Sequence, residues 1–147
     1  TKRVLDNLPL PTDDSNTVNA SELLSWLKGQ IHDGDYVSLQ AYVPFAQESQ
    51  LIEARRRVRD ALGGVAVTAG LGPRFLHSTG QLHKGGPNTC IAVQIVPTKP
   101  TADITIPDFP YDFNTLIRSQ AEGDLQSLLS HGRRVARIYI DNLDDLR

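Results

Sequence analysis

The chain has 147 residues, of which 39% are hydrophobic, and its formal net charge is −2 with an isoelectric point near 6.0. This length and composition predict a single globular domain with a hydrophobic core. The weak negative charge argues against nucleic acid and anionic membranes as partners. No apolar stretch approaches the ~20 residues that span a bilayer, and the N-terminus carries no signal-peptide pattern. We therefore expect a cytoplasmic protein.

Cys90 is the only cysteine, so no internal disulfide can form. This usage is typical of a reducing compartment. Because Cys90 lies in an apolar, strand-like run, we expect a buried small side chain rather than a nucleophile.

The first predicted elements are an arm and a helix. Residues 1–18 are polar and carry prolines, which predicts a linker or extended arm ahead of one domain over 19–147. Asn19 or Ser21 can cap the helix that follows. Its apolar residues recur at helical spacing and are Leu23, Leu24, Trp26, Leu27 and Ile31.

A strand and a second helix come next. The alternating, β-rich run over 36–43 predicts a strand that Pro44 stops. Residues 49–62 predict a helix that ends at the glycine pair after it. Its arginine run, 55–57, is expected to be a solvated face. The positions expected to point inward are Leu51, Ile52, Val58 and Leu62.

The second half continues the alternation of strands and helices. Strands are predicted over 65–70, 89–96 and 135–140, with a proline-spaced connection over 97–110 and a helix over 113–129. This order predicts an α/β fold, a three-layer α/β/α sandwich with a mostly parallel sheet of about four to five strands. The buried stripe of the last helix is predicted to be Leu116, Ile117, Leu125, Leu128 and Leu129.

The run from Gly72 to Asn88, GPRFLHSTGQLHKGGPN, concentrates the polar chemistry of the chain. A packing core needs no such set of imidazoles, cations, hydroxyls and glutamine amide. The run leaves a predicted parallel strand, and ligands of such sheets collect beyond the carboxyl ends of the strands. It is therefore the candidate site for a polyhydroxylated, anionic small molecule.

The middle of this run predicts a short helix. Ser78 and Gln81 match a capping box, so a helix is expected from about Ser78. At helical spacing His77, Gln81 and Lys84 share one face, while His83 lies about 120° away. At the positive end of a helix, a neutral His77 could accept a proton near pH 7 or hydrogen-bond a sugar hydroxyl. An equal alternative is a histidine that only anchors the loop, and His83 is expected to be packed or supporting.

Two cations flank this helix. Lys84 and the glycines after it could present a charge and backbone N–H groups to an anion, or simply end the helix. Arg74, after the Gly-Pro turn, is a candidate for contact with a phosphate or a partner carboxylate. No phosphate loop of the Walker type and no His/Cys set with zinc spacing occurs, so we expect no metal and no other cofactor.

The run from Gly72 to Thr89 resembles the C-terminal sugar-isomerase (SIS) lobe of glucose-6-phosphate isomerases. It is most similar to the branch fused behind transaldolase in bacterial bifunctional proteins. The stretches 113–128 and 35–43 look like the same lobe, and the resemblance covers about residues 34–141. It implies an SIS-like fold.

The resemblance also implies an activity. The family interconverts glucose 6-phosphate and fructose 6-phosphate through an enediol and without a metal. A glutamate moves a proton between C2 and C1, and a histidine assists ring opening. His77 matches that histidine and Gln81 the glutamine that follows it, with Lys84, His83 and Arg74 as weaker candidates for substrate binding.

Some parts of the family pattern are missing from this chain. The phosphate-holding Gly-Gly-Ser loop and Ser-Lys-Thr stretch belong to the preceding lobe, and no glutamate here matches the catalytic base. Residues 120–124 stand where the family has Gly-Val-Glu-x-x-Lys, but they lack the lysine. We therefore expect the C-terminal part of a longer chain, nearly inactive alone. Its partners would be the sugar phosphate, the preceding isomerase lobe, a transaldolase domain, and a second copy in a homo-oligomer.

Two alternatives remain open at this point. The domain could bind a sugar phosphate as a sensor without doing chemistry. It could also be a purely structural assembly lobe, with the arginines over 55–59 at an interface.

Overall fold

The computed structural model describes residues 15–76, 79–99 and 104–146. Within these ranges, four parallel strands form one sheet that carries helices on both faces. This confirms the predicted three-layer α/β/α architecture. The strands are β1 (Tyr36–Ala41), β2 (Val67–Leu71), β3 (Cys90–Pro97) and β4 (Arg134–Ile140), and the helices are α1 (Leu23–Gln30), α2 (Glu48–Ala61), α3 (Thr79–Gly85) and α4 (Phe113–Ser130).

The strand order is β2-β1-β3-β4, so β1 lies between its two successors. The chain goes from β1 to β2 through α2. It then crosses back over β1 through α3 to reach β3, and α4 leads on to β4. The direction of winding therefore reverses between β1 and β3. The carboxyl ends of these two strands form the switch point at which open α/β sheets bind ligands.

One face of the sheet is apolar and packs against α1 and α2. Leu39 and Val93 are paired in register on β1 and β3, and both are fully buried together with Ile138 of β4. Leu27 of α1 and Val58 of α2 pack onto them in the same cluster. Each such aliphatic side chain contributes roughly 1.5–3 kcal/mol when it leaves water, so the main core lies on this face.

The opposite face carries a line of polar side chains that we call the polar row. Gln40, Gln94 and Arg137 are paired in register on β1, β3 and β4. All three are at least 94% buried under α3 and α4. On the same face, Cys90 is 2% exposed, as predicted, and burial raises the pKa of its thiol. The sheet thus has one face held by apolar packing and one that contains buried polar groups.

The last residues of the predicted N-terminal arm belong to the fold. Val18 donates its backbone N–H to the carbonyl of Arg137, and Arg137 donates to that of Asn16, both at 2.8 Å. Thr17 thereby forms a parallel bridge to β4. Residues 16–18 of the predicted linker or extended arm thus pair with β4, while positions 1–14 lie outside the described ranges.

Two inward positions were predicted wrongly. Ile52 is 43% exposed and Leu129 is 38% exposed. Helix α2 turns Leu51, Ala54 and Val58 toward the sheet. Ile52 is one residue, about 100° of helix rotation, beyond this line, and Leu129 likewise lies at the edge of the stripe of α4.

Arg57 also differs from the prediction of a solvated face. Its guanidinium donates to the carbonyl oxygens of Leu143 and Leu146, at 3.1 and 3.2 Å. It lies 3.6 Å from Asp144. Arg57 therefore fastens the chain after β4 to α2.

Two further details differ from the prediction. The second strand runs over Val67–Leu71 rather than 65–70. Asn19 makes no capping bond with its side-chain oxygen; instead its amide donates to the carboxylate of Glu22 at 3.2 Å.

No helix in the described ranges combines the length and the apolar composition that a bilayer span requires.

Candidate functional site

The polar run singled out in the sequence connects the carboxyl end of β2 to β3. After the cis peptide between Gly72 and Pro73, the chain forms a 3-10 turn over Arg74–Leu76 and then α3. The helix expected from about residue 78 is present from Thr79. His77, with the predicted catalytic role, and Ser78, the predicted cap, lie outside the described residues.

Two glycines allow the chain on either side of positions 77 and 78 to pack closely. A Cβ atom on Gly80 would overlap the backbone of Phe75, and one on Gly72 would lie 2.5 Å from the ring of Tyr42. Phe75 in turn sets its ring edge-on to that of Tyr42, with 6.0 Å between centroids. The start of α3 is therefore fixed against the end of β1.

Lys84 joins α3 to α4 through a buried ion pair. Its ammonium lies 2.6 Å from the carboxylate of Asp124 and donates to the carbonyl of Phe75 at 3.3 Å. The side chains of Lys84 and Asp124 are only 16% and 2% exposed. Tyr42 donates its hydroxyl to the same carboxylate. Burial raises the pKa of Tyr42, and the neighbouring charge of Asp124 raises it further by a smaller amount. The hydroxyl of Tyr42 therefore keeps the proton that it donates.

His83 is buried on the other side of α3 and contacts the polar row. Its Nδ1 lies 3.2 Å from the amide nitrogen of Gln40, and its ring centroid is 6.1 Å from that of Tyr36. Burial lowers the pKa of His83, and the charge of Lys84 lowers it further by a smaller amount. The imidazole is therefore neutral at pH 7. Since Gln40 can only donate from its amide nitrogen, Nδ1 accepts and Nε2 carries the proton.

Arg74 and Gln81 are placed differently from Lys84 and His83. Both are exposed, and the guanidinium of Arg74 lies 5.9 Å from the ring centre of Phe45. The structure thus divides the predicted site residues into two groups. Lys84 and His83 anchor α3 to the rest of the fold, whereas Arg74 and Gln81 lie at the surface, where a ligand or a partner can reach them.

A second buried charge pair lies under α4, and sequence reasoning missed it. Arg137 donates to Glu122 at 2.8 Å and to the side-chain oxygen of Gln94 at 2.7 Å. The amide of Gln94 donates to the carbonyl of Ala121 at 2.7 Å. The second guanidinium nitrogen, Nη2 of Arg137, is buried without a partner among the described residues. The sequence signal for this pair is the presence of a glutamine and an arginine inside two otherwise apolar strands.

These contacts decide what the buried acids can do. Asp124 is neutralised by Lys84, and Glu122 by Arg137. Each carboxylate is already bound to a cation, and because the two side chains are only 2% and 8% exposed, neither is accessible to a substrate. The described residues include no group of three or more His, Cys, Asp or Glu side chains placed to hold a metal ion.

Comparison with known proteins adds information on the fold. No protein-family model matches the chain, and no curated protein matches it either. Among solved structures, the chain is similar to the crystal structure of the hypothetical protein TT0462 from Thermus thermophilus, with a TM-score of 0.68 and 19% identity. The match covers 86% of this chain and 34% of that one. This chain therefore spans about a third of the length of its structural neighbour, and the likeness concerns the fold alone.

Proposed function

We propose that this domain is the C-terminal lobe of a glucose-6-phosphate isomerase and supplies one half of its active site. One observation carries the proposal. The run with the family's motif begins at the carboxyl end of β2, and the buried pair of Lys84 and Asp124 fixes it against Tyr42, which directly follows the neighbouring strand β1. A motif that binds substrate needs such support, because reacting groups must be held within a fraction of an ångström.

In the proposed reaction, His77 assists ring opening. Opening a cyclic sugar requires a proton for the ring oxygen as its bond to C1 breaks, and the C1 hydroxyl must lose one. A neutral imidazole can mediate this transfer near pH 7. Gln81 and Arg74, both exposed, are the proposed contacts to hydroxyl and phosphate groups.

The remaining parts of the reaction require another lobe. Both buried acids of α4 are paired with cations, which supports a catalytic glutamate from outside this chain. The proposed partners are the preceding isomerase lobe and, in the longer protein, a transaldolase domain, with a homo-oligomer as a further assembly. The single cysteine supports a cytoplasmic location.

The proposal is tested by isomerase assays coupled to oxidation of glucose 6-phosphate. We expect the 147-residue chain to show almost no turnover. In the longer protein, His77→Ala should lower kcat by about 10²–10⁴-fold, the usual contribution of a general acid or base, with a smaller change in KM. His131→Ala is the matched control, because His131 is an exposed histidine at the end of α4. Full activity of the short chain, or an unchanged kcat in His77→Ala, would refute the proposal.

A second candidate function is a sensor that binds a sugar phosphate without chemistry. The same pairing of Asp124 and Glu122 with cations favours it, since no described acid of the polar face is left for proton transfer. Binding of glucose 6-phosphate to the longer protein, weakened by Gln81→Ala and accompanied by no isomerase activity, would support the sensor.

A further inference from the structure

A crevice lies at the switch point of the sheet, away from the polar run after β2. It has a volume of about 210 Å³ and opens where β1, β3 and β4 end. A second cleft, on the other side of the same strand ends, shares Pro97 and Lys99 with it. The order β2-β1-β3-β4 makes this place, rather than the end of β2, the one at which the fold itself favours a ligand.

The crevice has apolar walls and three polar side chains. Val43, Pro97, Ile140 and Leu143 form the walls, and Gln47, Lys99 and Asp141 provide the polar groups. Such a lining, with few polar groups on an apolar surface, is characteristic of small-molecule sites.

The charges of the crevice restrict its occupant. Lys99 and Asp141 are exposed, and neither forms an ion pair within the described part of the chain. Arg118, which lines the neighbouring cleft, donates to the carbonyl of Thr98 at 3.2 Å and adds a second cation beside Lys99. An anionic group is therefore favoured at Lys99, while Asp141 can only accept from a donor such as a hydroxyl.

The size of the crevice restricts the occupant further. Its volume of about 210 Å³ is below the roughly 300–1,000 Å³ of pockets for drug-sized ligands. A nucleotide is too large, whereas a phosphate ion or a three-carbon phosphate ester fits.

We propose that this crevice binds a small phosphate monoester that carries a hydroxyl group. Lys99 binds the phosphate, and Asp141 and Gln47 bind the hydroxyl. The site is separate from the one proposed for isomerisation and does not depend on that activity.

The test uses titration calorimetry and amide NMR shifts of the 147-residue chain with three probes: glycerol 3-phosphate, inorganic phosphate and glycerol. We expect saturable binding of glycerol 3-phosphate, about 10-fold weaker binding of inorganic phosphate, and none of glycerol, because both groups of the ligand make contacts that each contribute to affinity. The largest shifts should occur at the amides of Val43, Gln47 and Asp141.

Variants separate the two halves of the site. Lys99→Ala should weaken both phosphate ligands about 10-fold, as expected for loss of a charge-assisted bond. Asp141→Asn should weaken glycerol 3-phosphate but not inorganic phosphate. Lys28→Ala is the control, because Lys28 is an exposed lysine on α1.

Three results would overturn the proposal. The first is that neither phosphate ligand binds saturably. The second is that Lys99→Ala binds the phosphate ligands as tightly as the unaltered chain does. The third is that the amide NMR shifts are confined to residues 72–88. Equal binding of the ester and of inorganic phosphate in every variant would overturn the part assigned to Asp141. Lack of isomerase activity in the longer protein would contradict the proposed function and leave these binding results unchanged.

Discussion

Replacing Lys84 by Met tests whether the ion pair between α3 and α4 fixes the polar run. The change leaves the carboxylate of Asp124, 2% exposed, with the hydroxyl of Tyr42 as its remaining hydrogen-bond donor among the described residues. At 2.6 Å, the attraction between the charges is about 6 kcal/mol with an effective dielectric constant of 20. Desolvation offsets part of this attraction. Breaking a buried pair from one side costs about 3–5 kcal/mol, and because Lys84 is 16% exposed, we expect about 3 kcal/mol.

Urea unfolding at pH 7 measures this loss in the free energy of unfolding. The variants are Lys84→Met, Asp124→Leu and the double variant, which form a double-mutant cycle. The double variant should be more stable than the sum of the single changes predicts, by about 2 kcal/mol, because it leaves no unpaired buried charge. The control is the surface pair of Arg56 and Glu53, 3.1 Å apart and more than half exposed, for which Arg56→Met should cost at most about 1 kcal/mol.

The refuting result is a small effect. If Lys84→Met costs no more than Arg56→Met, the ion pair does not restrain α3. The structural support for a substrate site after β2 would then be lost.

Three further predictions concern packing and pH. Gly80→Ala should lower the free energy of unfolding by about 1–3 kcal/mol, as overpacking does, because the new Cβ overlaps the backbone of Phe75; thermal melting of the variant measures the loss. Hydrogen bonds from Arg134 lower the pKa of Asp35 from 3.8 to about 2. The stability that this carboxylate contributes is therefore complete above pH 4 and is lost as the pH falls through 2. Arg134→Met should reduce the change in the free energy of unfolding between these pH values, and an unchanged pH dependence would contradict the assignment. Burial lowers the pKa of His83 from 6.5. Its imidazole NMR shifts should therefore titrate below that pH, and the free energy of unfolding should decline as the pH falls below 6.5. A titration centred at 6.5 would show that the ring is not buried.

The sequence predicted the elements well where they are long and many apolar residues mark them. The last helix was expected over 113–129 and is Phe113–Ser130. The most apolar strand was expected over 89–96 and is Cys90–Pro97. Helix α4 repeats apolar residues at helical spacing, and β3 is a continuous apolar run that is buried on both faces, so in each element many residues support the prediction. The edge strand β2 has only five residues, and its start was misplaced by two.

The polar row shows what periodicity leaves out. Alternation places Gln94 and Arg137 on one face of their strands, but it does not say which residues lie opposite them on a helix. Glu122, which binds Arg137 from α4, is 15 positions away from it, and Gln40, the neighbour of Gln94 on the adjacent strand β1, is 54 positions away from it. Such pairings depend on strand order and on the path of each crossover, and these emerge only in the folded chain.

The crevice at the ends of β1 and β3 was missed for the same reason. Gln47, Lys99 and Asp141 come from three separate connections and form no local pattern. The run over 72–88 was conspicuous because its polar residues are contiguous. A contiguous motif and a topological switch point are independent signals, and in this chain they indicate different places.

The unequal faces of the sheet have a consequence for local unfolding. Apolar burial holds α1 and α2, whereas α3 and part of α4 are attached largely through charged and polar contacts. Segments with few apolar contacts open at a lower free-energy cost than the whole molecule. Hydrogen exchange should therefore find α3 releasing its amides well before β1 and β3. A lobe built in this way can rearrange the chain after β2 around an incoming molecule while its hydrophobic half stays intact.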